Sequence, residues 1–338
     1  MSHQITVQPS GRQFAAEAGE TILDAALRQG FTMPYGCKDG ACGSCKGNVL
    51  SGEVDHGKAQ PSALTDAERA AGVVLFCCAR PRSDLTLECK QLTSRGDIQV
   101  KTLPARVDKL ERLAPDVIEL FLRLPANENL PFLAGQYIDI LLKDGKRRSY
   151  SLANAPHDEA FLQLHIRHVP GGLFTGQVFS TMKVRDILRI NGPHGGFFLR
   201  EDSAKPMILL AGGTGFAPIK AIVEHAIAEK CQRPIHIYWG AKARVDLYQN
   251  DLPALWAAEN ANIRYIPVLS EPAADDGWSG RTGFVHRAVV EDFPDLSGYQ
   301  IYACGSPVMI DAARSDFVNT CKLPEEEFFA DAFTFSTT

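Results

Sequence analysis

Cys37, Cys42 and Cys45 stand as C-x4-C-x2-C, and Cys77 follows after a gap of 31 residues. No other feature limits the fold of this chain as strongly. Four thiolates at this spacing are the plant-type arrangement around a [2Fe-2S] cluster. In the loop Tyr35-Gly36-Cys37-Lys38-Asp39-Gly40-Ala41-Cys42-Gly43-Ser44-Cys45, the glycines let the backbone fold tightly and aim N–H groups at the sulfurs. Zinc is the structural competitor, and a four-residue first gap with glycine on every side suits it poorly. Cys78 adjoins Cys77 and offers the same chemistry. In a strand the two point to opposite faces, and the plant-type pattern Leu-x-Cys, here Leu75-Phe76-Cys77, favours Cys77. The expected metal ligands are therefore Cys37, Cys42, Cys45 and Cys77, while Cys89, Cys231 and Cys321 read as inert thiols.

Nine cysteines are an odd number, which argues against a disulfide framework and for a reducing compartment. The chain has 338 residues, of which 45% are hydrophobic and 22% charged, an ordinary globular composition with room for two or three domains. No apolar run approaches the roughly 20 residues that span a bilayer, and the start lacks the layout of a signal peptide. A cytoplasmic protein with no membrane partner is expected. Lys and Arg outnumber Asp and Glu only between residues 101 and 200, by 14 to 10. That surplus is too small for a nucleic-acid surface but suits a domain that holds a pyrophosphate.

Three regimes follow one another, read as domains 1–95, 101–200 and 201–338. In the first, strands at Gln4–Gln8, Gly47–Gly52 and Leu85–Glu88 surround two helices in a small α+β unit. Thr21 with Asp24, and Thr65 with Glu68, read as capping boxes, and Gly30 and Gly72 stand where each helix should stop. Residues 93–103 read as a linker. Strand-like runs then dominate at Val117–Leu124, Tyr137–Leu142, Phe161–Arg167 and Val184–Ile190, predicting an antiparallel β-barrel. From Met207 on, strands at Met207–Ala211, Ile235–Trp239, Ile263–Leu269 and Gln300–Cys304 alternate with helices such as Ile219–Glu229 and Val308–Asn319. That rhythm is a parallel α/β sheet.

Two further motifs point to cofactors. Arg148-Ser149-Tyr150-Ser151 closes a β-rich strand: arginine can clamp a pyrophosphate, Tyr150 offers an aromatic face, and Ser151 a donor to a ring system. It is flanked by Gly135-Gln136-Tyr137 and by a stretch from His165 through Arg167, Gly171 and Gly172 to Thr175, where Thr175 can cap a helix facing a phosphate. Gly212-Gly213-Thr214-Gly215-Phe216-Ala217-Pro218 leads from the first parallel strand into a helix, so its backbone can approach a dinucleotide pyrophosphate. Cys304 ends the last strand, where sheet crevices bind ligands.

With these residues in view, the whole chain resembles the ferredoxin-type reductases, in which an N-terminal [2Fe-2S] domain is fused to a ferredoxin-NADP reductase-like module. The matching stretches run from Cys37–Cys45 with Gly52-Glu53-Val54-Asp55, through Leu133–Asp139, Arg147–Ser151, Leu210–Pro218 and Tyr238-Trp239-Gly240, to Gly283–His286 and Tyr302–Ser306. The resemblance implies a β-grasp ferredoxin domain first and FAD on the middle domain. Arg148 then binds the pyrophosphate, Tyr150 and Ser151 meet the reactive ring, and His165, Arg167, Gly172 and Thr175 line the ribityl and phosphate. It assigns Gly212, Gly213, Thr214 and Gly215 to the nicotinamide dinucleotide and Cys304 to the nicotinamide ring. Tyr150, Ser151 and Cys304 are thus the residues nearest the chemistry. The ending Phe329-Ala330-Asp331-Ala332-Phe333 resembles the family's C-terminus beside the flavin, with Asp where plant relatives carry Glu and with five residues beyond Phe333.

The implied reaction is hydride transfer from NADH to FAD, then single electrons to the cluster and on to a redox partner protein. As the partner, the resemblance implies an iron-sulfur, pyridoxamine-phosphate-dependent dehydrase bearing a CDP-sugar in 3,6-dideoxyhexose synthesis. The alternative is the oxygenase component of an aromatic-ring dioxygenase or multicomponent monooxygenase, and a non-catalytic redox carrier is a further reading. Lys242 and Arg244 could take a 2′-phosphate and Asp246 a free ribose, so NADPH stays open beside NADH, which the resemblance favours. A monomer is the default.

Overall fold

The computed structural model describes residues 2–94, 98–275 and 277–334. The chain forms two compact units. One takes the chain up to Ile98, Gly195–Phe197 and the chain from Asp331 on; the other takes Gln99–His194 and Phe198–Ala330.

In the first unit the elements are β1 (His3–Gln8), β2 (Arg12–Ala16), α1 (Ile22–Arg28), β3 (Phe31–Thr32), β4 (Lys46–Ser51), β5 (Val54–Asp55), α2 (Asp66–Ala70), β6 (Val73–Leu75), β7 (Arg80–Pro81), β8 (Leu85–Glu88) and β9 (Thr93–Ser94). The main sheet has the order β2-β1-β8-β4-β6, with β1 and β8 parallel and the other neighbours antiparallel. Ile5, Val7, Phe14 and Leu87 alternate into its core with Ile22 and Ala26 of α1. This is the expected β-grasp arrangement. The Thr21 hydroxyl accepts the Asp24 N–H, and Thr65 with Glu68 forms a complete capping box. The expected linker is corrected at both ends: β9 pairs with β3, and Lys101–Leu103 opens a long strand. Arg95, Gly96 and Asp97 of that stretch lie outside the described residues.

The second unit begins with β10 (Lys101–Ala114), β11 (Val117–Arg123), β12 (Tyr137–Leu141), β13 (Arg147–Ser151), β14 (Leu162–Arg167), α3 (Leu173–Ser180) and β15 (Ile187–His194). These strands form one antiparallel sheet, β13-β12-β15-β10-β11-β14, over a core that includes Val107, Leu120, Ile138, Leu164 and Ile190. Among the described residues its two edges meet at the single bridge Leu152–Leu164, so the barrel is not closed by a full ladder. The Asn154 side chain accepts the Gln163 N–H at 3.0 Å, which takes the donor that further pairing would need. The last strand starts later than Val184 because Arg185 adopts a left-handed φ of 78°.

The unit continues with β16 (Met207–Gly212), α4 (Phe216–Ala228), β17 (Ile235–Ala241), α5 (Asp251–Glu259), β18 (Ile263–Leu269), β19 (Arg281–Thr282), α6 (Val285–Asp292), β20 (Gln300–Gly305), α7 (Pro307–Asn319) and β21 (Phe328–Ala332). The sheet order is β19-β18-β17-β16-β20-β21, with parallel pairing from β19 through β20. Met207 through Ala211 are all buried, as a strand covered on both faces requires. Strand order reverses at β16, between β17 and β20, the place where such sheets open a ligand crevice at their C-terminal ends.

Candidate functional site

The cluster loop brings the four expected cysteines into two pairs. The Cys37 N–H donates to Cys42 Sγ, and the Cys42 N–H to Cys37 Sγ, both at 3.4 Å. The side chains of Cys45 and Cys77 interact as the second pair. Two iron ions held by two thiolates each need this division. Among the described residues, no group of three or more His, Cys, Asp or Glu side chains is placed to hold a single metal ion. Further N–H groups reach the sulfurs: Asp39 to Cys37, Ser44 to Cys42, and Gly40 to Cys77. The Cys37 side chain pulls the Cys42 thiol down to about 6, while Cys42 and burial push Cys37 up. The loop's donors and thiols fit a [2Fe-2S] cluster.

Gly40 holds a φ of 82°, and a Cβ there would stand 2.7 Å from Cys78 Sγ. Cys77 and Cys78 lie in a turn, with Cys78 and Ala79 N–H both donating to Leu75 O. Their sulfurs are 3.6 Å apart, so the expectation of opposite faces is overturned: a turn does not alternate its side chains as a strand does.

On the flavin side, Arg148 and Tyr150 share one face of β13. The Tyr150 ring meets Phe174 of α3 at 5.4 Å, which brings the strand beside the first turn of that helix. The N-cap of α3 is Gly172, and no side chain caps it. Thr175 is not the cap: it lies inside the helix, its hydroxyl accepting the Val169 N–H and donating to Val169 O, both at 3.2 Å. It ties the approach loop and leaves the first-turn N–H groups free of side-chain caps, a frame that fits a pyrophosphate. Ser151 is buried at the end of β13.

His165 and Arg167 sit on the β14 face that meets the nicotinamide-side elements. His165 is fully enclosed; its Nδ1 lies 2.9 Å from the Tyr248 hydroxyl, and its Nε2 lies 3.5 Å from Glu119. Its ring stands edge-on to Tyr248 and stacks near Phe216. Burial lowers its pKa. The Arg167 guanidinium lies 3.4 Å from Asp116 and 3.9 Å from Asp246, against the Gly213 backbone. Asp246 also accepts the Ala243 N–H at 3.1 Å, so the carboxylate expected to suit a ribose is used within its own turn. Lys242 stands exposed, 3.7 Å from Glu271.

The Gly212–Gly215 bend passes directly into α4, with Thr214 half-buried. A Cβ on Gly215 would stand 2.1 Å from Cys304 O, so glycine alone lets the bend after β16 pack against the end of β20. Trp239 Nε1 donates to Gly213 O at 3.0 Å, and its ring stacks on Phe216 at 3.9 Å. Cys304 is fully buried at the end of β20. The roles of Tyr248 and Lys220 escape the sequence, because His165, Ala153 and Gln163 lie tens of residues from them. Lys220 Nζ donates to Ala153 O, Gln163 Oε1 and Glu224. Asp331 belongs to the first unit, its Oδ1 3.3 Å from where a Gly36 Cβ would stand; Phe333 is half-buried there.

Three family models match in this order: a 2Fe-2S iron-sulfur cluster binding domain over residues 5–82, an oxidoreductase FAD-binding domain over 104–199, and an oxidoreductase NAD-binding domain over 209–315. The chain is 47% identical to the CDP-6-deoxy-L-threo-D-glycero-4-hexulose-3-dehydrase reductase of Yersinia pestis, covering 98% of this chain and 99% of that one. The chain belongs to the iron-sulfur flavoprotein reductases. This reductase is also 43% identical to the protein RfbI of Salmonella typhimurium, over 99% of its own length and 98% of the relative's. Among solved structures it is similar to the Amycolatopsis cytochrome P450 reductase GcoB, with a TM-score of 0.79 at 37% identity, covering 98% and 99% of the two chains. The reductase is an oxidoreductase whose cofactors are a [2Fe-2S] cluster, FAD and NADH. No helix among the described residues is long and apolar enough to cross a membrane.

Proposed function

We propose that this reductase supplies electrons from NADH to the dehydrase of 3,6-dideoxyhexose synthesis, acting as a CDP-6-deoxy-Δ3,4-glucoseen reductase. The relative named as a dehydrase reductase, 47% identical along nearly the whole chain, is the observation that carries this reading. When bound, FAD accepts electron pairs and releases single electrons, which the cluster can carry.

The chain's own residues bind and orient. Arg148 and the uncapped first turn of α3 bind the FAD pyrophosphate, with Tyr150 and Ser151 against the ring. The Gly212–Gly215 bend and the start of α4 take the dinucleotide, and Cys304 packs beneath the nicotinamide. His165, enclosed between Glu119 and Tyr248, braces β14 against Phe216. Cys37, Cys42, Cys45 and Cys77 hold the cluster.

A second reading, a reductase component for an oxygenase, is favoured by the likeness to a solved cytochrome P450 reductase. Reconstitution with each candidate partner tests the choice. NADH oxidation that accelerates with the CDP-sugar-loaded dehydrase and forms product supports the first reading. Acceleration only with an oxygenase component overturns it.

A further inference from the structure

Cys78 is a fifth thiol at a site that needs four. Its sulfur lies 3.6 Å from Cys77 Sγ. A tetrahedral metal with bonds to sulfur of about 2.3 Å spaces its sulfur ligands about 3.8 Å apart. The two sulfurs of this turn are thus separated by about one ligand edge, and a change of χ1 is enough to carry one toward the place of the other.

The loop around them admits both. The Gly40 N–H reaches Cys77 sulfur, and the missing Gly40 side chain leaves the space that Cys78 Sγ fills, 2.7 Å from where a Cβ would stand. The turn itself is anchored to α1: the Leu23 N–H donates to Phe76 O and the Ile22 N–H to Ala79 O, on either side of the two cysteines. Cys78 therefore stays near the cluster loop even if the Cys77 sulfur is lost. Both residues are buried.

We propose that Cys78 is a reserve cluster ligand, able to take the iron position of Cys77 when that sulfur is removed. In the exchange the iron–sulfur bond to Cys77 is absent and one to Cys78 forms, the Cys78 thiol releasing its proton to solvent with no change in iron oxidation state. The inference rests on the proposed set of four ligands, and the wild-type protein tests that set separately.

The test uses the full chain purified with flavin and reconstituted anaerobically with iron and sulfide. Wild type should carry two irons and two acid-labile sulfides per chain, as expected for a [2Fe-2S] centre; if it carries none, the ligand set fails before the exchange is at issue. Cys77→Ala should retain most of that iron, with a [2Fe-2S] absorption spectrum and a shifted electron paramagnetic resonance signal after reduction. Cys77→Ala/Cys78→Ala should lose it. NADH bleaching of the flavin in both variants reports that the second unit is folded. Equal iron loss in the single and double variants would overturn the proposal. Should Cys77→Ala not fold, Cys77→Ser serves instead. Its spectrum should change when Cys78→Ala is added, and an unchanged spectrum would refute the exchange.

Discussion

The ring of His165 is enclosed by Glu119, Tyr248 and Phe216. Burial lowers its pKa from the ordinary 6.5. A base with a lowered folded pKa binds fewer protons folded than unfolded, so its contribution is fully present above about 6.5 and is lost as pH falls below that. In His165→Gln the fall in urea midpoint between pH 7.5 and 5.5 should be shallower than in wild type. His56, His236 and His286 are shifted the same way and act in both proteins; a steeper fall in the variant would contradict this. Tyr248→Phe removes the partner of His165 Nδ1 and should cost roughly 1–3 kcal/mol in denaturant unfolding. Gly40→Ala adds a Cβ where φ is 82° and Cys78 stands 2.7 Å away; iron content should fall while flavin bleaching by NADH persists. The cysteines were legible because their spacing is local. The His165–Tyr248 pair, 83 residues apart, was not.

At the level of elements, the capped helices α1 and α2 were legible, since Thr21, Asp24, Thr65 and Glu68 act within one turn. β10 was not. Leu103, Ala105 and Val107 alternate inward, but Pro104 and a run of charges obscure the period, and the strand is stabilised by β15 on one side and β11 on the other. Likewise α4 was expected from Ile219, although it starts at Phe216. Its Lys220 ties the helix to the segment just after β13 through Ala153 O and to β14 through Gln163. Lys220→Met should cost roughly 1.5–3 kcal/mol for the lost charged hydrogen bonds, read as a lower urea midpoint with an unchanged slope. Loss of less than a few tenths would show the tie to be idle.

For the whole molecule, the order of cofactors was legible because each carries its own local signature: thiolate spacing, an arginine-bearing strand end, a glycine bend. What was not legible is how the second and third regimes share one unit, since that depends on Lys220, Tyr248 and Arg167 meeting across long sequence separations. Removing the iron should leave NADH-dependent flavin bleaching intact and abolish delivery to the partner, checked by single-turnover absorbance with and without a chelator. Electrons run from NADH through FAD to the cluster. Anaerobic rapid mixing of the loaded protein with NADH, followed at flavin wavelengths and by freeze-quenched electron paramagnetic resonance, tests this path. Flavin bleaching should come first and the reduced-cluster signal should follow. A cluster that stays oxidised after the flavin is reduced would rule this path out.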